Sequence, residues 1–285
     1  MRTTTFLSVL QAIAAKVLGT ADHLPTQQGV AFTESVNEHV RDCWDREFWP
    51  DWTVTEQRYF RDTWSATSYA AGAQVYHAGT NAYYAANASA ISTDVPGTSS
   101  KWTLLTGQAL RRYISREQTG KTVIGAVLCV TELDPRLNDT TPAINWRAGA
   151  DGIEFSARLD LPTSVWVTFR KVPPEFTLTA WTAASYASGA RVYQSTTGEC
   201  YVANAATSDN DVPGTSSKWT RIEFPLALKT PVVLFVAADR QEEAGQLETS
   251  SSLRQRAEDA LVDEFRRMGG QQGMVRPYRV LTRAA

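Results

Sequence analysis

Apolar residues recur every three or four positions in two stretches near the start of the chain, as they do along one face of an α-helix. The first stretch follows Thr4 or Thr5, either of which is suited to cap a helix, and Gly19 marks its end. The second stretch predicts a helix capped by Thr33 and ended by Pro50. The apolar positions are Phe6, Val9, Leu10, Ile13 and Val17 in the first helix, and Val36, Val40, Cys43, Trp44 and Phe48 in the second.

The middle of the chain is a series of short β-favouring runs. Aliphatic and aromatic residues dominate these runs, and Gly, Pro and Asp residues separate them. The predicted strands cover residues 53–61, 110–116, 121–132, 144–146, 153–159 and 165–172. Short strands joined by turns predict a small antiparallel sheet or barrel.

The segment after residue 229 has two possible structures. Thr230 and Pro231 are suited to the N-cap and the first position of a helix over residues 232–244, which Gly245 would close. A buried strand over residues 232–236 remains the alternative, because a short apolar run does not distinguish the two.

The chain ends with one more helix and a polar tail. An apolar stripe predicts a helix over residues 251–268, with Gly269 and Gly270 as its stop. Residues 271–285 have little apolar content that would order them alone, so we expect a flexible C-terminal arm.

Two segments of the chain, residues 64–102 and 181–219, are copies of each other, with roughly 23 of 39 positions identical. Each copy reads as short strands joined by turns. The expected framework residues are Trp64, Tyr69, Tyr84 and Trp102 in the first copy, and Trp181, Tyr186, Tyr201 and Trp219 in the second. These large aromatic side chains supply enough apolar area for a small core of their own. Asp94 and Asp211 precede Val-Pro-Gly and are interpreted as turn residues.

The spacing W-x4-Y-x2-G-x2-V-Y, then Y-x-A, then P-x5-W resembles the chitin-binding type 3 module, a small carbohydrate-binding domain. In that family, exposed aromatic residues that stack on sugar rings usually follow the Y-x-A element. Here those positions are residues 87–88 and 204–205, and both pairs are Asn-Ala. Tyr83 is a possible substitute in the first copy, but its equivalent in the second is Cys200. We therefore expect outward-facing modules that bind sugar weakly, with Tyr76 and Tyr193 available to neighbouring proteins.

Composition excludes several classes of function. A net charge of −2 gives no global reason to expect nucleic-acid or anionic-membrane binding, and no apolar run has transmembrane length. The three cysteines have no metal-binding spacing and are interpreted as reduced thiols. His39 lies alone in the second helix, where a packing or surface role is favoured over catalysis. Without a phosphate loop or a nucleophile motif, we expect neither enzymatic activity nor a cofactor.

These patterns together predict an α+β fold. Helical segments at the two ends would pack together beside a small antiparallel β domain, with two small β modules inserted. The predicted adaptor core is discontinuous and comprises residues 1–61, 106–177 and 223–285. The first module covers residues 62–105 and the second covers 178–222, each inserted between strands of the β region, where insertions cost little.

The core resembles head-to-tail adaptor proteins of tailed bacteriophages, which are also called head completion or neck proteins. The segments that carry the resemblance are residues 6–10, 44–52, 53–56, 58–61, 165–170, 173–176 and 256–261. It implies a structural virion protein made in the bacterial cytoplasm and located at the neck. There a ring, expected to be a dodecamer, would dock beneath the portal, extend the DNA channel without reading sequence, and receive the next tail or neck protein.

The C-terminal arm is the expected portal-binding segment, because it combines arginines with apolar residues and would order on its partner. The residues concerned are Val275, Arg276, Tyr278, Arg279 and Leu281. Two other functions remain open at this point. The module resemblance alone would imply a carbohydrate-binding virion surface protein for host recognition, and an enzyme with two binding modules is the third reading.

Overall fold

The computed structural model describes residues 2–19, 26–46, 49–106, 112–138, 140–150, 152–156 and 161–271. Helices and short antiparallel strands are both abundant, which confirms the predicted α+β class. The helices are α1 (Phe6–Leu18), α2 (Thr26–Arg46), α3 (Leu226–Glu243) and α4 (Leu247–Gln271), with a single 3-10 turn at Pro50–Trp52. The strands are β1 (Thr3–Thr4), β2 (Thr53–Tyr59), β3 (Gln74–His77), β4 (Ala82–Ala86), β5 (Trp102–Leu105), β6 (Tyr113–Ser115), β7 (Ile124–Thr131), β8 (Trp146–Ala148), β9 (Gly152–Phe155), β10 (Ser164–Lys171), β11 (Arg191–Gln194), β12 (Glu199–Ala203), β13 (Trp219–Ile222) and β14 (Phe224–Pro225).

Helix α1 has the predicted ends. The Thr5 hydroxyl accepts a hydrogen bond from the Ser8 backbone N–H at 3.2 Å and caps the N-terminus. Gly19 follows the last turn in the left-handed conformation (φ 74°), which glycine adopts without steric cost.

Helix α2 begins at Thr26, seven residues before the predicted N-cap, so the assignment of Thr33 as its N-cap is wrong. Thr33 lies inside the helix and is buried. Its hydroxyl donates to the Gly29 carbonyl at 2.8 Å, four residues earlier. The hydroxyl therefore has a hydrogen-bond partner within the helix, which continues past it.

Helix α3 resolves the ambiguous segment in favour of a helix, but it begins at Leu226 rather than at Pro231. Its start is fixed by pairing, because β14 pairs with β1 and the Leu226 N–H donates to the Arg2 carbonyl at 3.0 Å. Pro231 therefore lies inside the helix, in its second turn, and not at its first position. Gly245 follows the C-terminus with φ 74°, as predicted.

Helix α4 is longer than predicted at both ends. It begins at Leu247, directly after the turn that closes α3, and it continues through Gly269 and Gly270 to Gln271. The glycine pair is therefore not a stop, because glycine inside a helix costs only about 1 kcal/mol per residue and does not forbid the conformation.

The chain divides into two compact units. The helical unit comprises the described residues of Met1–Asp51 and Pro173–Pro277, and the β unit comprises those of Trp52–Val172. The predicted core is thus distributed over both units. Each unit also contains one module: residues 62–105 belong to the β unit and residues 178–222 to the helical unit. The second module leaves into β14, which pairs with β1 in the helical unit, and so is not inserted between strands of the β region as expected.

Helix α3 is the centre of the helical unit. All residues from 232 to 238 are buried, so the helix is covered on every side, and it packs against α1, α2 and α4. The entry of the second module is also anchored here, because the ring of Phe176 stacks on that of Phe6 at 4.7 Å and lies beside that of Phe224 at 5.2 Å.

The β unit contains two three-stranded antiparallel sheets besides its module. Their strand orders are β2-β10-β7 and β6-β9-β8. The strands predicted in this region are present with shifted ends, and they form two sheets instead of a single sheet or barrel. The shared core contains Ile114, Ile124, Val130, Ile153, Val165, Val167 and Phe169, each at most 1 % exposed. One charged residue joins this core: Arg58 is fully buried, pairs with Glu56 at 2.9 Å and lies over the Phe169 ring at 5.1 Å.

Candidate functional site

The two modules have the same architecture. The first is the sheet β3-β4-β5 and the second is the sheet β11-β12-β13, both antiparallel. The pairing registers are equivalent: Val75 lies opposite Tyr84 in the first, and Val192 lies opposite Tyr201 in the second. Because the two registers match, equivalent side chains face inward in both modules. A slip of one residue would move every side chain of a strand to the other face of its sheet.

The eight framework residues lie in two small cores, one in each module. In the first module Tyr84 and Trp102 are buried, and Trp64 and Tyr69 pack against them. The second core has the equivalent aromatic residues, with Tyr201 and Trp219 buried and Trp181 and Tyr186 packed against them. Matching tyrosine and tryptophan rings meet edge to face at 5.4 Å in the first module and 5.5 Å in the second. The aromatic residues therefore build the modules instead of forming an open platform.

Asp94 fastens the long loop of the first module to its last strand. Its carboxylate accepts hydrogen bonds from the Lys101 ammonium at 2.8 Å, the Ile91 N–H at 2.9 Å and the Ser99 hydroxyl at 3.1 Å. Its carbonyl accepts from the Trp102 indole N–H at 2.7 Å. The hydrogen bond from the Ile91 N–H and those from Lys101 and Ser99 lower the pKa of this carboxyl.

Asp211 makes the same fastening in the second module. Its carboxylate accepts from the Lys218 ammonium at 2.8 Å, the Ser208 N–H at 2.8 Å and the Ser216 hydroxyl at 2.9 Å, and its carbonyl accepts from the Trp219 indole N–H at 2.7 Å. The hydrogen bond from Lys218, followed by those from Ser208 and Ser216, holds its pKa far below the usual range. Both aspartates are thus turn residues with an additional role as loop fasteners.

The Asn-Ala positions brace the modules. The Asn87 side-chain amide donates to the Ser100 carbonyl at 2.9 Å, and the Asn204 amide donates to the Ser217 carbonyl at 3.3 Å. The Asn204 side-chain oxygen also accepts from the Thr220 hydroxyl at 2.8 Å. Asn87 and Asn204, at positions where the sequence resemblance leads us to expect sugar-stacking rings, therefore join two loops of the same module.

Two tyrosines of the first module join it to the rest of the β unit. The Tyr83 hydroxyl donates to the Thr163 carbonyl at 2.6 Å and accepts from the Phe60 N–H at 3.0 Å. The Tyr76 ring is 5 % exposed and stacks on Tyr59 at 4.0 Å. Both rings belong to the core of the β unit. Tyr83 therefore does not substitute for a sugar platform, and Tyr76 is occupied within its own chain.

The second module joins the helical unit through different residues. The Leu7 N–H of α1 donates to the Gly198 carbonyl at 3.0 Å. Any Cβ at Gly198 would lie 2.7 Å from the Cβ of Leu7, so only glycine fits this contact without movement. Cys200 is fully buried and its thiol donates to the Thr177 carbonyl at 3.1 Å. Burial raises the pKa of this thiol to about 12, so it is a packing residue.

The junction residues Tyr83, Gly198 and Cys200 lie at positions where the copies differ, whereas Tyr76 is a tyrosine in both copies. Tyr83 corresponds to Cys200, and Asn81 corresponds to Gly198. The framework residues are visible as identities between the copies, but the junctions are not. Differences between the copies at the start of the second strand were the signal that could have revealed them.

Titratable side chains of the helical unit brace one helix against another. His39 on α2 lies 2.5 Å from the Asp239 carboxylate on α3, which also accepts from Arg254 on α4 at 2.9 Å. Arg46 on α2 pairs with Glu258 on α4. The His39 ring also stacks on a phenylalanine of α3 at 5.1 Å, in keeping with its predicted packing role.

The predicted portal-binding residues, from Val275 to Leu281, lie outside the described residues. Within the described ranges, no three His, Cys, Asp or Glu side chains are grouped so that they could hold a metal ion. Over the same ranges, every helix is too short or too polar to cross a membrane.

Comparisons with protein-family models, with curated proteins and with solved structures found no match to this chain.

Proposed function

We propose that the protein is a structural adaptor of a tailed-phage neck, which forms a ring beneath the portal and receives the next tail component. The observation that carries this proposal is the helical unit. Segments from the two ends of the chain fold together there, with α1 and α2 packed on α3, and α3 packed on α4. Three of the segments that carry the adaptor resemblance, residues 6–10, 173–176 and 256–261, lie in this unit.

The use of the reactive side chains also supports a structural role. His39, Asp239 and Glu258 form bridges between helices, and Asp94 and Asp211 fasten loops of the modules. Burial raises the pKa of the Cys43 thiol to about 12, as it does for Cys200. The pKa values of these two thiols, and of Asp94 and Asp211, are thus moved away from neutral pH, whereas those of catalytic groups are usually tuned toward it.

The alternative is a carbohydrate-binding surface protein, and the module geometry gives it less support. The framework rings are used in the module cores, and Asn87 and Asn204 brace loops. A stacked aromatic contact contributes about 0.5–1.5 kcal/mol beyond its buried area, and these modules forgo it at the usual positions.

Portal binding is the direct test. The full chain is mixed with the portal protein encoded with it, and the complex is isolated by sedimentation. We expect co-sedimentation, and we expect a chain truncated after Gln271 to lose it while keeping its melting temperature. Binding of chitin oligomers at micromolar concentration, with no portal binding, would favour the carbohydrate-binding alternative.

A further inference from the structure

A short loop of the β unit exposes two leucines. This leucine loop, residues 132–138, follows β7. Leu133 is 55 % exposed and Leu137 is 81 % exposed, the highest value among the large apolar residues of the described chain. Single exposed apolar residues are common on protein surfaces. This loop differs from such single residues because it exposes two leucines and because hydrogen bonds hold its backbone in place.

The leucine loop is braced by Asp134 and Arg136. The Arg136 guanidinium donates to both carboxylate oxygens of Asp134, at 2.9 Å from Nε and 2.7 Å from Nη2. The Asp134 carbonyl accepts from the Leu137 N–H at 3.1 Å and the Asn138 amide at 3.1 Å. The guanidinium also lies 5.2 Å from the centre of the Trp166 ring. A loop ordered in advance loses little entropy on binding, which favours its use as an anchor.

The same unit has a cleft that could receive such an anchor. This aromatic cleft is lined in part by Arg112, Tyr113, Trp146, Glu154 and Phe155, and its volume is about 650 Å³. An apolar cavity of about 150 Å³ already admits a benzene-sized group, so the cleft has room for both leucine side chains. Three of the described lining residues, Tyr113, Trp146 and Phe155, are aromatic, a residue type that is enriched at the centres of protein interfaces, and the other described lining residues are polar or charged.

The two surfaces also carry opposite charges. Glu132 begins the leucine loop and Arg112 lies at the aromatic cleft, and both are exposed. Neither side chain has an ion-pair partner among the described residues. By contrast, Arg147 and Glu154 beside the cleft already pair with each other at 2.5 Å. An exposed carboxylate beside the leucines and an exposed guanidinium at the cleft are electrostatically complementary.

We propose that the leucine loop of one copy inserts into the aromatic cleft of the next copy, with Glu132 facing Arg112 across the contact. A contact between two different patches of the same chain is head-to-tail, and it produces a ring when the rotation closes. The inference rests on the proposed function and names the surfaces that join the subunits. The occupant is a second copy, because both complementary surfaces lie on one chain.

The first test is the association constant of the full chain, measured by analytical ultracentrifugation up to about 1 mM. Leu137→Asp should weaken association at least about tenfold, because it places a charge in an apolar contact. Leu247→Asp is the matched control: this leucine is 65 % exposed in the helical unit, and its replacement should leave association unchanged. Glu132→Arg and Arg112→Glu should each weaken association about tenfold, and the two together in one chain should restore it.

Mixing variants tests the head-to-tail geometry. Leu137→Asp removes the loop contact, and Trp146→Ala removes the cleft contact. At a concentration where the wild-type chain associates and each variant alone is monomeric, an equal mixture should form a dimer and stop there, because only one unaltered pair of surfaces remains. Circular dichroism checks the fold of Trp146→Ala, and Arg112→Glu replaces it in the mixture should the tryptophan variant fail to fold.

A wild-type chain that remains monomeric over this range would overturn the inference, as would equal association by Leu137→Asp and Leu247→Asp. A mixture that assembles beyond the dimer would also overturn it. Measuring portal binding distinguishes a failure of the leucine-loop contact from a failure of the proposed adaptor function. A ring on the portal that is insensitive to Leu137→Asp defeats the leucine-loop contact alone, and loop-dependent self-association without portal binding defeats the adaptor role alone.

Discussion

Replacing Gly198 by asparagine tests how the second module is joined to helix α1. Gly198 has φ 69° and its carbonyl accepts from the Leu7 N–H at 3.0 Å. The equivalent residue in the first module is Asn81, also left-handed with φ 50°. Asparagine is among the residues that visit this conformation most readily. The backbone cost of Gly198→Asn is therefore small, and the main effect comes from the added side chain.

The magnitude follows from the space available. A Cβ at Gly198 would lie 2.7 Å from the Leu7 Cβ and 3.0 Å from one of its methyl carbons, so Leu7 or the turn must move. Overpacking of this kind costs roughly 1–3 kcal/mol, and we expect about 2 kcal/mol in urea-induced unfolding. For a unit of this size, that corresponds to a melting temperature lower by about 4–8 °C.

Gly189→Asn is the matched control, because Gly189 is left-handed in the same module (φ 86°) and has open space where its Cβ would lie. It should reproduce the backbone cost without the clash. Leu7→Ala removes the methyl carbon at 3.0 Å but keeps the Cβ at 2.7 Å, so it should offset only a small part of the Gly198→Asn loss, with a coupling energy of about 0.5 kcal/mol in a double-mutant cycle. Equal destabilisation by Gly198→Asn and Gly189→Asn would refute the contact as the junction.

Two further predictions concern hydrogen bonds of the modules. Tyr83→Phe leaves the buried Phe60 N–H without its acceptor, so we expect it to lower the free energy of unfolding in urea by about 2 kcal/mol. Tyr69→Phe should cost less, because the hydrogen bonds of the Tyr69 hydroxyl are exposed. Equal losses for the two variants would contradict the role of Tyr83 at the junction. Because the folded-state pKa values of Asp94 and Asp211 are lowered, their stabilisation is present above the unfolded pKa of about 4 and is lost as pH falls through the folded values. The variant with both Asp94 and Asp211 changed to Asn should therefore have a lower melting temperature than the wild type at pH 7, and it should lose less stability than the wild type between pH 5 and pH 2. A variant with the wild-type pH profile would contradict the role of the two aspartates in holding the loops.

Local sequence patterns predicted the end of a helix correctly where a single residue determines that end. Thr5 and Gly19 end α1 because a cap and a left-handed glycine act within a single turn. Helix ends elsewhere depended on distant partners. Thr33 has the chemistry of a cap but satisfies its hydroxyl inside α2, and α3 begins at Leu226 because β14 pairs with β1, more than 200 residues away.

The candidate site shows the same division. The duplicated aromatic framework and the turn role of Asp94 and Asp211 were predictable, because each module largely builds its own small core. The junctions were not, because the Tyr83 hydroxyl and the Gly198 backbone contact residues far away in the chain. The division into two units, with one module in each, likewise depends on long-range packing that residue spacing does not encode.

Electron microscopy of the full chain bound to its portal protein tests the adaptor proposal most directly. The account predicts a ring of copies coaxial with the portal, with an open central channel continuous with the portal channel. Single copies scattered on the portal, or a chain that leaves the portal bare at micromolar concentration, would contradict it.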